Sequence, residues 1–99
     1  MDLAAFKASL ADAAPPDGLA PALQALWHLA KGDWNAAHAL AQSHEDAAGN
    51  WVHAHLHRVE GDESNAGYWY RRVKRSHSKA PLPQEWDEIA GALLAEGSS

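Results

Sequence analysis

The sequence predicts an all-α fold: about six helices arranged as antiparallel helical hairpins in one domain spanning residues 1 to 99. Three observations lead there. Apolar residues recur at three- and four-residue intervals along most of the chain, and Gly and Pro clusters interrupt that rhythm. The pair Gly-Asp also occurs twice, at 32 to 33 and at 61 to 62, each time closing an apolar stripe and opening another.

The elements follow in chain order. Leu3, Phe6, Leu10 and Ala14 share a helical face behind Asp2, a capping residue, and the stretch APPDG ends that helix. Leu19, Leu23, Leu26, Trp27 and Ala30 form the stripe of a second helix, which tolerates Pro21 in its first turn and stops at Gly32. Asp33 can cap a third, carrying Trp34, Ala37, Leu40 and Ala41 and ending near His44. After the histidine-rich stretch, Asp62 or Ser64 starts a helix with Ala66, Trp69, Tyr70 and Val73 on one side. A last helix, delimited by prolines, runs over about residues 83 to 95 with Trp86, Ile89, Ala90, Leu93 and Leu94 as its apolar face.

The stretch WVHAHLHRVEGD, residues 51 to 62, is ambiguous by itself. Val52, Ala54 and Leu56 alternate with His53, His55 and His57 as in a half-buried strand. A shift of 29 residues resolves it, because it superposes Ala25 on Ala54, His28 on His57, Gly32-Asp33 on Gly61-Asp62 and Ala37 on Ala66. The upstream copy, LQALWHLAKGD, reads as helix, so the downstream copy is predicted to be helix too. The repeated glycine would close one helix in a left-handed conformation and the aspartate would cap the next.

Ala54, Gly61, Ala66 and Tyr70, with the segment NAGYWYRRV, resemble the tetratricopeptide and Sel1-like helical repeat class. The resemblance covers roughly residues 19 to 75, as two hairpins at about 19 to 46 and 48 to 75. The upstream copy matches less well, since Ala41 stands in the aromatic place. The combination of GDWNAAHALAQ with WVHAHLHRVEGDESNAGYWYRR is also similar to a small group of bacterial proteins of unknown function. The resemblance implies a scaffold that binds a protein or peptide along the first helices of its hairpins. Two repeats are fewer than the class commonly has, so the flanking helices would serve as caps.

Composition narrows the function classes. There is no cysteine, which excludes a disulfide framework, a thiolate metal site and a cysteine nucleophile, and is compatible with a reducing cytoplasm. No stretch approaches ~20 consecutive apolar residues, so the expected location is cytoplasmic, with no membrane partner. A formal charge of -5 argues against a general nucleic-acid binder. The basic residues are nevertheless concentrated, with Arg71, Arg72, Lys74, Arg75 and Lys79 close together. That segment reads first as a solvated helix end complementing the helix dipole, and second as a patch for an acidic partner or for an accessory contact to nucleic acid.

Candidate chemistry centres on histidine. On a helix His53 and His57 share a face while His55 points elsewhere, so the three cannot converge on one ion. His53 and His57 are the residues to hold a metal if there is one, with further ligands drawn from His28, His38, His44, Glu45, Asp46 or Glu60. The residue after His53 is Ala54 rather than the glutamate of a zinc-protease helix, which removes the usual base of a hydrolytic site. His28 and His57, superposed by the repeat, are expected to hold their hairpins together by bonding to backbone or to a facing side chain. No serine elbow, phosphate-cradling glycine loop or evident buried carboxylate pair is present, so no enzyme activity and no cofactor is predicted.

The leading expectation is therefore a protein or peptide interaction module. Its contact residues would be the helical stripe Trp51, His55 and Arg58, with Arg71 and Arg72 beside it. This stripe combines an aromatic, an imidazole and a fork-shaped cation suited to a carboxylate. The alternative use of the same residues has Trp51 in the core and Arg58 paired with an acidic neighbour. Any tryptophan left exposed would mark a face for a second copy of the chain, as in a homodimer. A histidine-liganded metal protein, perhaps hydrolytic, is the competing reading.

Overall fold

The computed structural model describes residues 1 to 97, and these form six α-helices and no strand. They are α1 (Leu3–Ala8), continued by a 3-10 turn at Ser9–Ala11, then α2 (Pro21–Ala30), α3 (Trp34–Ser43), α4 (Ala47–Val59), α5 (Glu63–Arg72) and α6 (Leu82–Gly97). The histidine-rich stretch is helical throughout, as the repeat predicts, and the first helix is shorter than its apolar spacing suggests.

Local chemistry explains the boundaries. Asp2, Asp33, Asp46 and Asp62 each accept a hydrogen bond from the backbone N–H three residues on, which satisfies a donor that the first helical turn leaves unpaired. Gly32 and Gly61 have φ of +87° and +86° and close α2 and α4 in the same way. The Asp33 N–H donates to His28 O and the Gly32 N–H to Leu29 O; the Asp62 N–H donates to His57 O and the Gly61 N–H to Arg58 O. These are two Schellman closures 29 residues apart in sequence. A third ends α5, where Lys74 takes φ 56° and Arg75 N–H donates to Tyr70 O, without a glycine.

Because three residues join α2 to α3 and α4 to α5, and each pair packs along its length, both pairs are antiparallel hairpins. The core between them holds Leu26, Trp27, Val52, Leu56, Tyr70 and Ile89, with Ala25, Ala37, Ala41, Ala54 and Ala66 allowing close helix approach. α6 crosses α4, α2 and α1, and Trp86 stacks on Phe6 at 5.6 Å while its indole N–H donates to Leu26 O at 3.0 Å. Trp27, Trp51 and Trp86 are buried, and Trp34 and Trp69 are half-buried against the core. No described tryptophan is fully exposed. The large apolar side chains that are exposed are Met1, Val59 and Tyr68. No helix is long and apolar enough to cross a membrane.

A candidate three-histidine metal centre

α4 carries nine consecutive buried residues, Gly49 to His57, because α3 and α5 cover one side and α6 and α2 another. Its histidines therefore cannot be solvated, and each must find a partner in the fold. They divide as the helical rotation requires: His53 and His57 face the α3 and α5 side, and His55 faces α6.

On the first side, His53 Nε2 lies 3.0 Å from Nε2 of His38 in α3. His57 Nδ1 pairs with Glu60 Oε1, so Nε2 is the nitrogen of that ring left to serve as a ligand. One ring nitrogen from each of His38, His53 and His57 falls within 4.8 Å of the others. Two indoles wall the cluster. Trp34 stacks on His38 with centroids 4.8 Å apart and donates its N–H to Leu56 O at 2.9 Å, while Trp69 stacks on His53 at 3.9 Å. His53 and His57 are only 4% and 6% exposed, and His38 is half-buried, so the cluster borders solvent on the α3 side.

Burial, then the neighbouring His57 and His38 and the charge of Arg72, push His53 down to about 4, and burial with His57 lowers His38 as well. At neutral pH both rings are uncharged and keep a lone pair. Two buried polar atoms nearby have no hydrogen-bond partner: His53 Nδ1 and Asn50 Oδ1. They sit one turn apart on the same face of α4, one a potential donor and the other an acceptor. Leaving both unpaired costs desolvation energy that a Nδ1–H to Oδ1 bond would recover.

On the other side of α4, Glu85 is only 2% exposed. It accepts from His55 Nδ1–H and from Arg58 Nη1, both at 2.6 Å, and from the Tyr70 hydroxyl. Burial alone would raise its pKa, but the three donors outweigh burial and hold it at about 2. Arg58 also donates from Nη2 to Ala80 O at 2.6 Å. This network matches the alternative use of the contact stripe, with Trp51 in the core and Arg58 paired with an acid. Trp51, His55 and Arg58 do share a face, but α6 and the segment before it cover that face, so it is not an open groove; Trp51 lies under the Arg75 guanidinium, 3.5 Å from the ring centre. A buried carboxylate also exists, which sequence reasoning missed. The available signal was that Glu85 occupies the apolar stripe of α6, four residues before Ile89.

Of the other candidates, Arg71 and Arg72 lie in the exposed last turn of α5, where they complement the helix dipole. His44 Nδ1 contacts Leu40 O at 3.1 Å and Asp46 caps α4. His28 does not join the cluster. It contributes its carbonyl to the α2 closure and sets its ring edge-on to Trp27 at 5.2 Å. The repeat thus relates His28 and His57 through their backbone carbonyls rather than through their rings. Comparison of the chain with family models, curated proteins and solved structures finds no match.

Proposed function

We propose that the protein binds a divalent transition metal, zinc in the first instance, through His38, His53 and His57. The observation that carries this reading is the convergence of three ring nitrogens from two helices within 4.8 Å. Around a zinc ion with Zn–N bonds of ~2.0 Å, tetrahedral ligand nitrogens stand about 3.3 Å apart. The 3.0 Å pair is already near that separation, and the third ring has a nitrogen within 4.8 Å of both.

The surroundings support the same reading. Imidazole suits borderline metals such as zinc, copper and nickel. Glu60 on His57 Nδ1 is the carboxylate-histidine arrangement that orients a ligand ring and raises its basicity. A metal held by His53 Nε2 would require the ring proton on Nδ1, and the unpaired Asn50 Oδ1 lies one helical turn away. The interaction-module reading, by contrast, drew on a stripe that α6 covers; a protein partner would have to use another surface.

The test is metal stoichiometry on protein without a histidine tag, equilibrated with zinc and then passed through a desalting column. One zinc per chain is expected, with loss in His53→Ala and in His57→Ala and in His38→Ala, while His55→Ala and His28→Ala retain it. Absence of bound metal, or equal retention by all five variants, would overturn the proposal.

A further inference from the structure

Three neutral imidazoles leave a divalent ion both short of a ligand and short of negative charge. Among the described residues no fourth His, Asp or Glu joins the group of His38, His53 and His57. The carboxylates beside the group are those of Glu60, engaged by His57 Nδ1, and of Asp62, which lies within 4.8 Å of His57 and Glu60 but outside the three-histidine group. A tetrahedral ion held this way keeps one position for an outside ligand, the arrangement of catalytic rather than structural zinc sites. Because the two buried ligands are on α4 and the half-buried one is His38, that position is reached from the α3 side.

A second cation stands at the rim. Arg72, at the end of α5, is exposed and places its guanidinium 5.1 Å from the centre of the Trp69 indole, the same ring that stacks on His53 at 3.9 Å. Its charge is among those felt at His53. Arg72 Nη1 donates to the exposed Tyr68 hydroxyl at 3.1 Å, and the guanidinium lies over the Tyr68 ring as well, so two aromatic rings hold it in place. Glu45 is the acidic group that faces it, and it is exposed. A guanidinium is a planar fork that matches a carboxylate or phosphate, and a divalent ion takes an oxyanion oxygen readily.

Resting on the metal reading, we propose that the open position receives an oxyanion, a carboxylate or phosphate group, bound to the ion by one oxygen and steered by Arg72. Binding displaces the water that otherwise fills the position and makes no covalent bond. The ligand group must be small or at the end of a chain, since Trp34 and Trp69 stack on the cluster and narrow the approach to it.

Cobalt(II) in place of zinc gives a visible spectrum that reports coordination. The full chain without a tag, loaded with cobalt, is titrated separately with acetate and with methyl phosphate at constant ionic strength. A saturable change in the visible bands with either anion is expected, and Arg72→Gln should weaken that anion roughly fivefold when both proteins are saturated with cobalt. Normal cobalt binding whose spectrum neither anion alters would overturn the oxyanion proposal and leave the metal site standing. Absence of cobalt bands would overturn the metal reading and this inference with it. Anion binding that is unchanged in Arg72→Gln would remove Arg72 from the site.

Discussion

At the scale of single residues, the largest energetic commitment is Glu85. Its charge is solvated only by His55, Arg58 and Tyr70, so its ionised form is worth having in the fold and costly to lose. The carboxyl titrates at about 2 in the folded chain against 4.5 for the free side chain. A depressed carboxylate contributes stability that is complete above the unfolded value and disappears as pH falls through the folded one. A gap of this size corresponds to on the order of 3 kcal/mol. Glu85→Gln should therefore lower the urea-unfolding free energy by about that amount at pH 7, and the difference from wild type should shrink between pH 4.5 and pH 2. A difference that stays constant across that range would show that the loss is one of packing rather than charge. The position of Glu85 on the apolar stripe of α6 was legible in the chain, but its partners were not. Its donors lie 15, 27 and 30 residues away.

At the scale of elements, the three helix closures make a natural comparison. Gly32 and Gly61 adopt a left-handed conformation that a side chain resists, whereas Lys74 adopts it with a side chain present. Occupying that region costs a non-glycine residue roughly 1 to 2 kcal/mol. Gly61→Ala and Gly32→Ala should each destabilise by about 1 kcal/mol, and Lys74→Gly should stabilise by a similar amount, as read from thermal or urea unfolding. Opposite signs are the essential result, and a destabilising Lys74→Gly would contradict the account. These two glycines, the aspartate caps and the apolar spacing were all readable in advance, because each acts within a few residues of itself. The histidine stretch shows the limit of that reading. Its local alternation suggested a strand, and only the 29-residue repeat identified a helix.

At the scale of the molecule, 97 described residues bury one core, and the radius of gyration of 12.4 Å is that of a single domain of this size. The three-histidine cluster joins α3 to α4, with Trp69 of α5 stacked on it, so an ion there would tie the two hairpins together. A ligand that binds only the folded state adds about 2.7 kcal/mol when present at about a hundred times its Kd. For a domain this small that is a rise in Tm on the order of 10 °C. Zinc should raise the melting temperature of the wild-type chain to that extent and leave His57→Ala unmoved. Equal shifts in the two would place the bound zinc elsewhere.

The sequence by itself determined the class of fold, the helix ends, the turn chemistry and the fact that His53 and His57 share a face while His55 does not. All of these follow from the fixed rotation per residue of a helix and from the φ and hydrogen-bonding preferences of Gly and Asp. The tertiary structure alone decided that His38 completes the cluster, that His55 and Arg58 turn inward onto Glu85, and that Trp51 is roofed by Arg75 instead of lining a groove. Those outcomes depend on which faces of separate helices meet. Helix crossing is set by the packing of whole apolar surfaces, so no spacing within one segment encodes it.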